Sequence, residues 1–454
     1  MSVFCHCASL VDHSVRPHQH FYASAHLSCG KENLEAMRLP KFLVVFFAIT
    51  IAVLTFLPIN NYFRGSSNDY GKWFEVAQIV IEGGDIYPKG DEEFSFMYPP
   101  TAAVLFAFPS YLGELPLIIV LVFLYSIAWI VSLTLSVFLA TGTFGRDRPL
   151  LYLLPGVCCL PYVIENFLLG QPNLLLLALM LTAFVCLRSG KEWTAGALVA
   201  LASAIKAFPV LAIGYLAYRR HWKATVSTLV FLILLLIVVP SPSRGISRNL
   251  EDLQTWTQGM LRYEAQSISQ RPQRGFSYAN QSLVAVAHRL LRPVNAHRNQ
   301  TLFVNVADID FKHVTLVIVL AGLGLCLFYI LCMPSRTQRT NSSDALEYAM
   351  LLLLILIFTP LAFVYFFVWL LYPLVVVLNL VLSAPPGSPQ RIRGWIWFWA
   401  CIILIAFTLP VPAFYPVQAA GNILLACLLL FVGLGCKLRA AAYSGRVASA
   451  QQRG

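Results

Sequence analysis

Trp193 to Tyr218 reads WTAGALVALASAIKAFPVLAIGYLAY, and its reading decides how the whole chain is threaded. The stretch is long and apolar enough to cross a bilayer once. Yet Arg188 and Lys191 precede it, and Arg219, Arg220 and Lys223 follow it. A single crossing would leave one basic cluster on each side, against the bias that keeps Lys and Arg in cytoplasmic loops. Lys206, Pro209 and Gly214 interrupt the run near its middle. A helical hairpin resolves the conflict, with two short helices, both ends cytoplasmic and Ala204–Pro209 at the tip. Backbone that leaves the helix at depth must lie inside protein or beside a water-filled cavity. A lysine placed there is expected to be functional.

Working outward, the remaining apolar runs fall into place around that hairpin. Segments are expected near Lys41–Pro58, Pro116–Ala140, Leu150–Leu168 and Leu174–Leu187 before it. After it they are expected near Thr225–Val239, Thr315–Cys332, Ala345–Phe358, Phe363–Leu382, Trp395–Leu409 and Ala419–Leu434. The fold class is therefore all-α: a polytopic transmembrane helical bundle of about twelve membrane segments, counting the short hairpin near 193–218. With the hairpin, each short loop assigned to the cytoplasm is basic, and both termini lie inside. Two long polar loops, 60–114 and 240–312, then lie outside.

Composition agrees. The 454 residues are 58% hydrophobic and 12% charged, with a mean hydropathy of +0.71. The net charge of +11 is carried largely by short loops between spans, so it sets topology and does not indicate a nucleic-acid partner. Several of the 11 cysteines lie in apolar runs as small hydrophobes, and neither long loop contains one, so no disulfide framework is expected. Residues 1–36 hold Cys5, His6, Cys7, Cys29 and several histidines, in a spacing that matches no zinc pattern. They are expected to be a disordered tail or an upstream extension of a true start at Met37. From Met37 the chain reads as a basic start and an uncleaved apolar anchor. Residues 37–440 form one membrane domain and 441–454 a cytoplasmic tail.

The 60–114 loop is too patterned for a connector. Ser66-Ser-Asn-Asp69 precedes a helical pattern over Tyr70–Ile81. An acidic cluster at Asp91, Glu92 and Glu93 then leads into Phe94-Ser-Phe-Met-Tyr-Pro-Pro100. Two readings of Asp69 stand: a helix cap, or a general base held at the membrane surface. Lys206 either snorkels to the cytoplasmic face or meets an anion at depth, such as a lipid phosphate. Glu165, with Gln171 and Asn173 of the Gly170-Gln-Pro-Asn173 turn, and the Asn280-Gln281-Ser282 loop are the other candidates at or below the outer face. Asn280 also starts a glycosylation tripeptide, a pattern common by chance. Arg271, Arg274 and His288 are either solvated or bind phosphate or sugar. Trp73, Phe74, Tyr87, Phe94, Phe96 and Tyr98 form either a sugar- or lipid-binding surface or an interfacial aromatic belt.

These stretches, in this order, resemble bacterial polytopic glycosyltransferases of the GT-C class, most closely glycosyltransferase family 87. The resemblance is carried by Asn68-Asp-Tyr70, Gly83-Gly-Asp-Ile-Tyr-Pro88, Tyr98-Pro-Pro100, Gly170-Gln-Pro-Asn173, Ala204-Ile-Lys-Ala-Phe-Pro209, Tyr218-Arg-Arg-His-Trp222 and Asn280-Gln-Ser-Leu283. It implies an inverting hexose transfer, mannose by default, from a polyprenyl-phosphate donor to a glycolipid or glycan hydroxyl outside a bacterial inner membrane. By family position Asp69 is the base. Lys206, Arg271 and Arg274 hold the donor phosphate. Tyr98, Glu165, Gln171, Asn173, Asn280, Gln281, His288 and Tyr365 bind substrate. No cofactor is implied beyond the lipid-linked donor as substrate, and no metal ligands are expected. One departure is visible: relatives commonly show Trp and His after a Ser-Pro or Thr-Pro turn, where this chain has Phe363 and Tyr365. Tyr365 donates a hydrogen bond but carries no positive charge. A broken helix with a buried lysine also suits the rival reading, a transporter or lipid flippase. No internal repeat supports that reading.

Overall fold

The computed structural model describes residues 40–88, 90, 92–144 and 148–451, without the side chains of 273 and 441–451. The 1–36 segment, Asp91 and residues 145–147 of the expected inner turn lie outside the described residues. The chain divides into two compact units, 1–45 and 46–454; of the first, residues 40–45 are described. Every contact discussed below lies within the second.

Among the described residues, eight helices are long and apolar enough to cross a membrane: Lys41–Phe63, Glu114–Thr141, Leu150–Leu169, Trp222–Arg244, Phe311–Cys332, Asn341–Phe358, Val364–Ser383 and Asn422–Ala440. The other four expected segments form helices that fall short. Asn173–Arg188, Glu192–Ile205 and Phe208–Tyr218 are too short. Pro389–Ala406 opens on Pro-Gln-Arg-Ile-Arg, which dilutes its apolar character. Among the described residues, eight of the twelve expected segments therefore meet the length and composition of a full crossing. Strand is confined, among the described residues, to Tyr263–Glu264 paired antiparallel with Ser267–Ile268.

Asn341–Phe358 and Val364–Ser383 are the most deeply packed spans, 83% and 78% buried, whereas Phe311–Cys332 is only 11% buried and stands at the periphery. Helix starts are fixed chemically. Thr340 and Ser343 form a reciprocal capping box, and Ser282, Asp310 and Ser388 each accept a backbone N–H of the first turn.

The 193–218 stretch is a hairpin. Glu192–Ile205 lies alongside Trp222–Ile233 with the start of one beside the start of the other. His221 meets Glu192 at 2.9 Å, Ser227 donates to the Trp193 carbonyl at 2.7 Å, and Thr228 donates to the Gly196 carbonyl at 3.2 Å. Gly196 permits that approach, since a Cβ there would sit 2.3 Å from the Ala224 carbonyl oxygen. A helix of this length climbs about 21 Å, so the residues between the two helices must bring the chain back. They do so through Lys206, whose extended backbone (φ −152°, ψ 124°) ends the first limb, and then a 3-10 turn Phe208–Leu211 and the helix Ala212–Tyr218.

The base of the hairpin is riveted to Asn341–Phe358. Arg219 and Glu347, both buried, form an ion pair in which Glu347 also accepts from Tyr215 at 3.1 Å. The long 60–114 and 240–312 segments interlock at the other end. Trp256 donates to the Met97 carbonyl at 3.1 Å, Gln270 to the carbonyls of Gly90 and Glu92 at 2.9 and 2.7 Å, and Arg244 to that of Gly84 at 2.8 Å.

A buried ion pair broken on one side leaves the other charge stranded. Glu347→Ala is expected to lower stability by about 3–5 kcal/mol, read by thermal unfolding in detergent. The paired replacement Arg219→Met with Glu347→Leu is expected to recover most of that loss. Equal loss in the single and double variants would show that the pair is not the rivet.

Candidate active site

The helix Asn68–Glu82 carries Asp69 in its first turn and buries Tyr70, Trp73, Val76, Ala77 and Val80. That face grips the end of Leu150–Leu169 and the turn beyond it. Tyr70 donates to the Phe167 carbonyl at 2.7 Å and Asn68 to that of Leu168 at 2.9 Å. Trp73 and Tyr125 both donate to the Gly170 carbonyl, at 3.0 and 2.8 Å. Gly170 has φ +74°, and a Cβ there would press on the Tyr70 ring at 3.0 Å. Only glycine tolerates both conditions. The result is that Gln171 faces Asp69.

Asp69 is not engaged as a cap. Ser67 occupies the N-cap position without a side-chain bond, and the Asp69 carboxylate instead accepts from the Gln171 amide. The Gln171 amide has one possible orientation. An ammonium only donates, so the Gln171 oxygen must face Lys206 Nζ, 3.3 Å away; the same oxygen accepts from the Tyr98 hydroxyl at 2.6 Å. Its Nε2 is thereby turned to Asp69. Lys206 also donates to Asn173 Oδ1 at 3.1 Å. It lies over the Phe366 ring at 4.0 Å, with the Tyr98 and Tyr365 rings at 5.0 and 5.2 Å. Among the described residues no carboxylate lies within ion-pairing distance of this ammonium, though it sits in the field of Asp69.

Arg271 and Arg274 approach from the 240–312 segment. Asp69, Arg271, Arg274 and Glu165 each act electrostatically on Tyr365. Arg271 is half-buried, its Nε has no hydrogen bond, and its nearest acid is the exposed Glu93 at 3.5 Å. Burial, and then the neighbouring Arg274, push its guanidinium below the ordinary value. Glu165 makes no hydrogen bond or ion pair. Direct contacts thus join Asp69, Tyr98, Gln171, Asn173, Lys206 and Tyr365, with Arg271, Arg274 and Glu165 in electrostatic reach of Tyr365. Among the described residues no group of three or more His, Cys, Asp or Glu side chains converges.

Asn280, Gln281 and His288 stand apart from that group. Asn280 donates to the Gly275 and Pro360 carbonyls and accepts from the backbone of Ser282 and Ala362. Gln281 donates to the carbonyls of Tyr278 and Gln418 and accepts from Ile423. Asn280 clamps the segment after Thr359-Pro360, which leads into the 3-10 helix Val364–Leu370, while the Gln281 side chain ties to the segment 418–423. His288 is fully buried, stacked on Phe311 and bonded to Tyr263 at 2.5 Å. Arg292 donates to its Nδ1 at 3.2 Å, so the neutral ring carries its proton on Nε2. Of the aromatic candidates, Trp73, Tyr87, Phe94 and Phe96 are core residues, and Tyr98 is the one that reaches the ammonium. Sequence reasoning missed Phe366 beneath Lys206 and Trp369, which donates to the Asn173 carbonyl at 2.9 Å. The aromatic run after Thr359-Pro360 was the available signal.

The profile of glycosyltransferase family 87 matches residues 96–360. That match includes Tyr98, Glu165, the Gly170–Asn173 turn, Lys206, Arg271 and Arg274, and excludes Asp69 and Tyr365. Among solved structures, the chain is similar to ArnT from Cupriavidus metallidurans in its apo state, at 13% identity and a TM-score of 0.39, covering 90% of this chain and 78% of that one. No curated protein matches.

Two outcomes follow from this geometry. Removing the amide in Gln171→Leu should cost about 10- to 100-fold in turnover through misplacement of Asp69. In Gln171→Glu the added negative charge beside Asp69 should move the acid limb of the pH–rate profile upward; an unmoved limb would separate Gln171 from Asp69. Burial, and then Arg292, lower the His288 pKa from 6.5 to about 4. The unfolded chain then binds more protons between those values, so stability rises with pH there and is lost on acidification. The slope should reach up to about 1.4 kcal/mol per pH unit. Denaturation followed across this window should show that slope, and His288→Gln should flatten it.

Proposed function

Because the chain belongs to glycosyltransferase family 87, a match over more than half of its length that makes it a membrane glycosyltransferase, we propose that Lys206 and Asp69 are the two ends of its reaction. The observation that carries this is the Lys206 ammonium: it is held by two amide oxygens and three aromatic faces, with no carboxylate partner, one glutamine away from a carboxylate. Such a cation suits a phosphate that arrives with the substrate. Arg271 and Arg274 add positive charge on the same side, and the planar guanidinium suits phosphate oxygens.

The donor is a polyprenyl-phosphate hexose, with mannose the default sugar. The acceptor is a hydroxyl of a glycolipid or glycan. The acceptor oxygen attacks the anomeric carbon as the bond from that carbon to the phosphate oxygen breaks. Asp69 takes the hydroxyl proton as the new bond forms. The electron pair of the broken bond leaves on the polyprenyl phosphate, where Lys206 and the arginines meet the developing charge. A single displacement inverts the anomeric centre. A lipid phosphate is a weakly basic leaving group, so it needs a neighbouring cation more than a proton. Tyr365 stands at the convergence of these charges as a neutral hydrogen-bond donor. Gln171, Asn173 and Tyr98, which lie around the Lys206 ammonium, and Glu165 are proposed to contact the sugar. Asn280, Gln281 and His288 are proposed to act on substrate indirectly, by holding the wall that carries Tyr365.

In this reading the basic end of the bundle, with Arg188, Arg219, Arg336 and Arg391, is cytoplasmic, and the reaction faces the outside of a bacterial inner membrane. Residues 37–440 act as one domain.

Membranes containing the protein and radiolabelled polyprenyl-phosphate-mannose test this reading. Asp69→Asn should reduce transfer at least about a hundredfold. Lys206→Ala should lower turnover by about 10²- to 10³-fold and weaken donor saturation. Undiminished transfer by either folded variant would remove that residue from the mechanism. Transfer from a different carrier-linked sugar, with both losses intact, would keep the mechanism and replace mannose.

A further inference from the structure

The basic end of the bundle holds a cavity that the proposed reaction does not use. Its volume is about 570 Å³, and it opens where the returning hairpin limb ends at Tyr218 and where Phe311–Cys332 gives way to Met333. Arg220 and Arg336 line it. The carboxylates at this end are already engaged: Glu347 holds Arg219, Asp344 holds Arg339, and Glu192 holds His221. Arg219, also in the wall, donates further to the Pro334 carbonyl at 2.9 Å. That leaves two cations facing the cavity without an acid. Arg336 is bonded to the Arg219 backbone carbonyl, and among the described residues the Arg220 side chain makes no hydrogen bond or ion pair. Ser335 donates to Gln338 Oε1 at 3.1 Å, which leaves the Gln338 amide N–H groups as further donors in the lining.

We propose that this cavity binds the phosphate of an anionic phospholipid. Two guanidinium groups and an amide donor match a phosphate diester in charge and in hydrogen-bonding geometry. A free phosphate would offer the same chemistry. The lipid is favoured by what adjoins the cavity. Phe311–Cys332 is the least buried of the eight spans, and Leu327, Ile330 and Leu331 point outward along it toward Met333. An acyl chain would follow that apolar strip while its headgroup reached the arginines.

The test uses the full-length protein in phosphatidylcholine nanodiscs with phosphatidylglycerol as a guest, and counts the guest lipid retained by native mass spectrometry. Retention should fall at least about tenfold in Arg220→Ala with Arg336→Ala, a loss of about 1.4 kcal/mol of binding. It should persist in Lys223→Ala with Lys437→Ala, which removes the same charge outside the cavity. Arg220→Ala alone, which breaks no internal bond, should show a clear share of the loss and guards against misfolding. Equal loss in the two double variants would reduce the effect to general surface attraction and overturn the site. Full displacement of the guest by soluble glycerol phosphate would make free phosphate the ligand and overturn the lipid assignment.

Discussion

An ammonium withdrawn from bulk water has to be met by dipoles, by a counter-charge or by both. In this chain the dipoles come from the protein: the Lys206 ammonium is met by Gln171 and Asn173 oxygens and by the faces of Phe366, Tyr98 and Tyr365. Much of the architecture serves that arrangement. The hairpin exists to deliver a lysine to this depth, and the Gly170 turn exists in a form that aims two amide oxygens at it. Neutral ligands keep the charge in place without cancelling it, which a carboxylate would do.

The support behind those ligands is built from backbone carbonyls. Tyr70, Trp73 and Tyr125 each donate to a carbonyl at the end of Leu150–Leu169 or in the turn after it. Asn280 and Ser282 donate to the Pro360 carbonyl and so fix the start of the aromatic wall. Buried Arg289 donates to carbonyls of Ala419, Ser277 and Asn280, tying the same loop to the turn before Asn422–Gln451. Side chains in such positions look chemical in a sequence because they are polar. In the folded chain they complete the hydrogen bonding of irregular backbone that cannot satisfy itself.

That distinction explains what could and could not be read beforehand. The hairpin was legible because charge bias acts on whole loops and survives any uncertainty in helix ends. Asp69, Gln171 and Asn173 were legible as polar residues at the margins of apolar runs and Lys206 as a charge in the middle of one, and they do meet. Asn280, Gln281 and His288 have the same signature, yet their atoms are engaged by backbone, by Tyr263 and by Arg292. No local pattern separates a polar group that faces a substrate from one that faces a carbonyl. The twelve apolar runs were real, but length and composition qualify only eight as spans, because runs such as Asn173–Arg188 end early at charged or turn-forming residues. The cation–aromatic contact with Phe366 depends on two segments far apart in the chain, and the aromatic run after Thr359-Pro360 does not say which ring meets the lysine.

The interlock between the two long loops leans on the backbone of the first, beside the Arg248–Asp85 and Arg271–Glu93 ion pairs. Trp256, Gln270 and Arg244 supply side-chain donors from the second loop, whereas the first loop answers with the backbone oxygens of Met97, Gly90, Glu92 and Gly84. A carbonyl is the same whatever residue carries it. The rim formed by the first loop can therefore exchange many of its outward side chains without letting go of its partner. Such a rim can drift toward new acceptors while the machinery beneath it stays fixed.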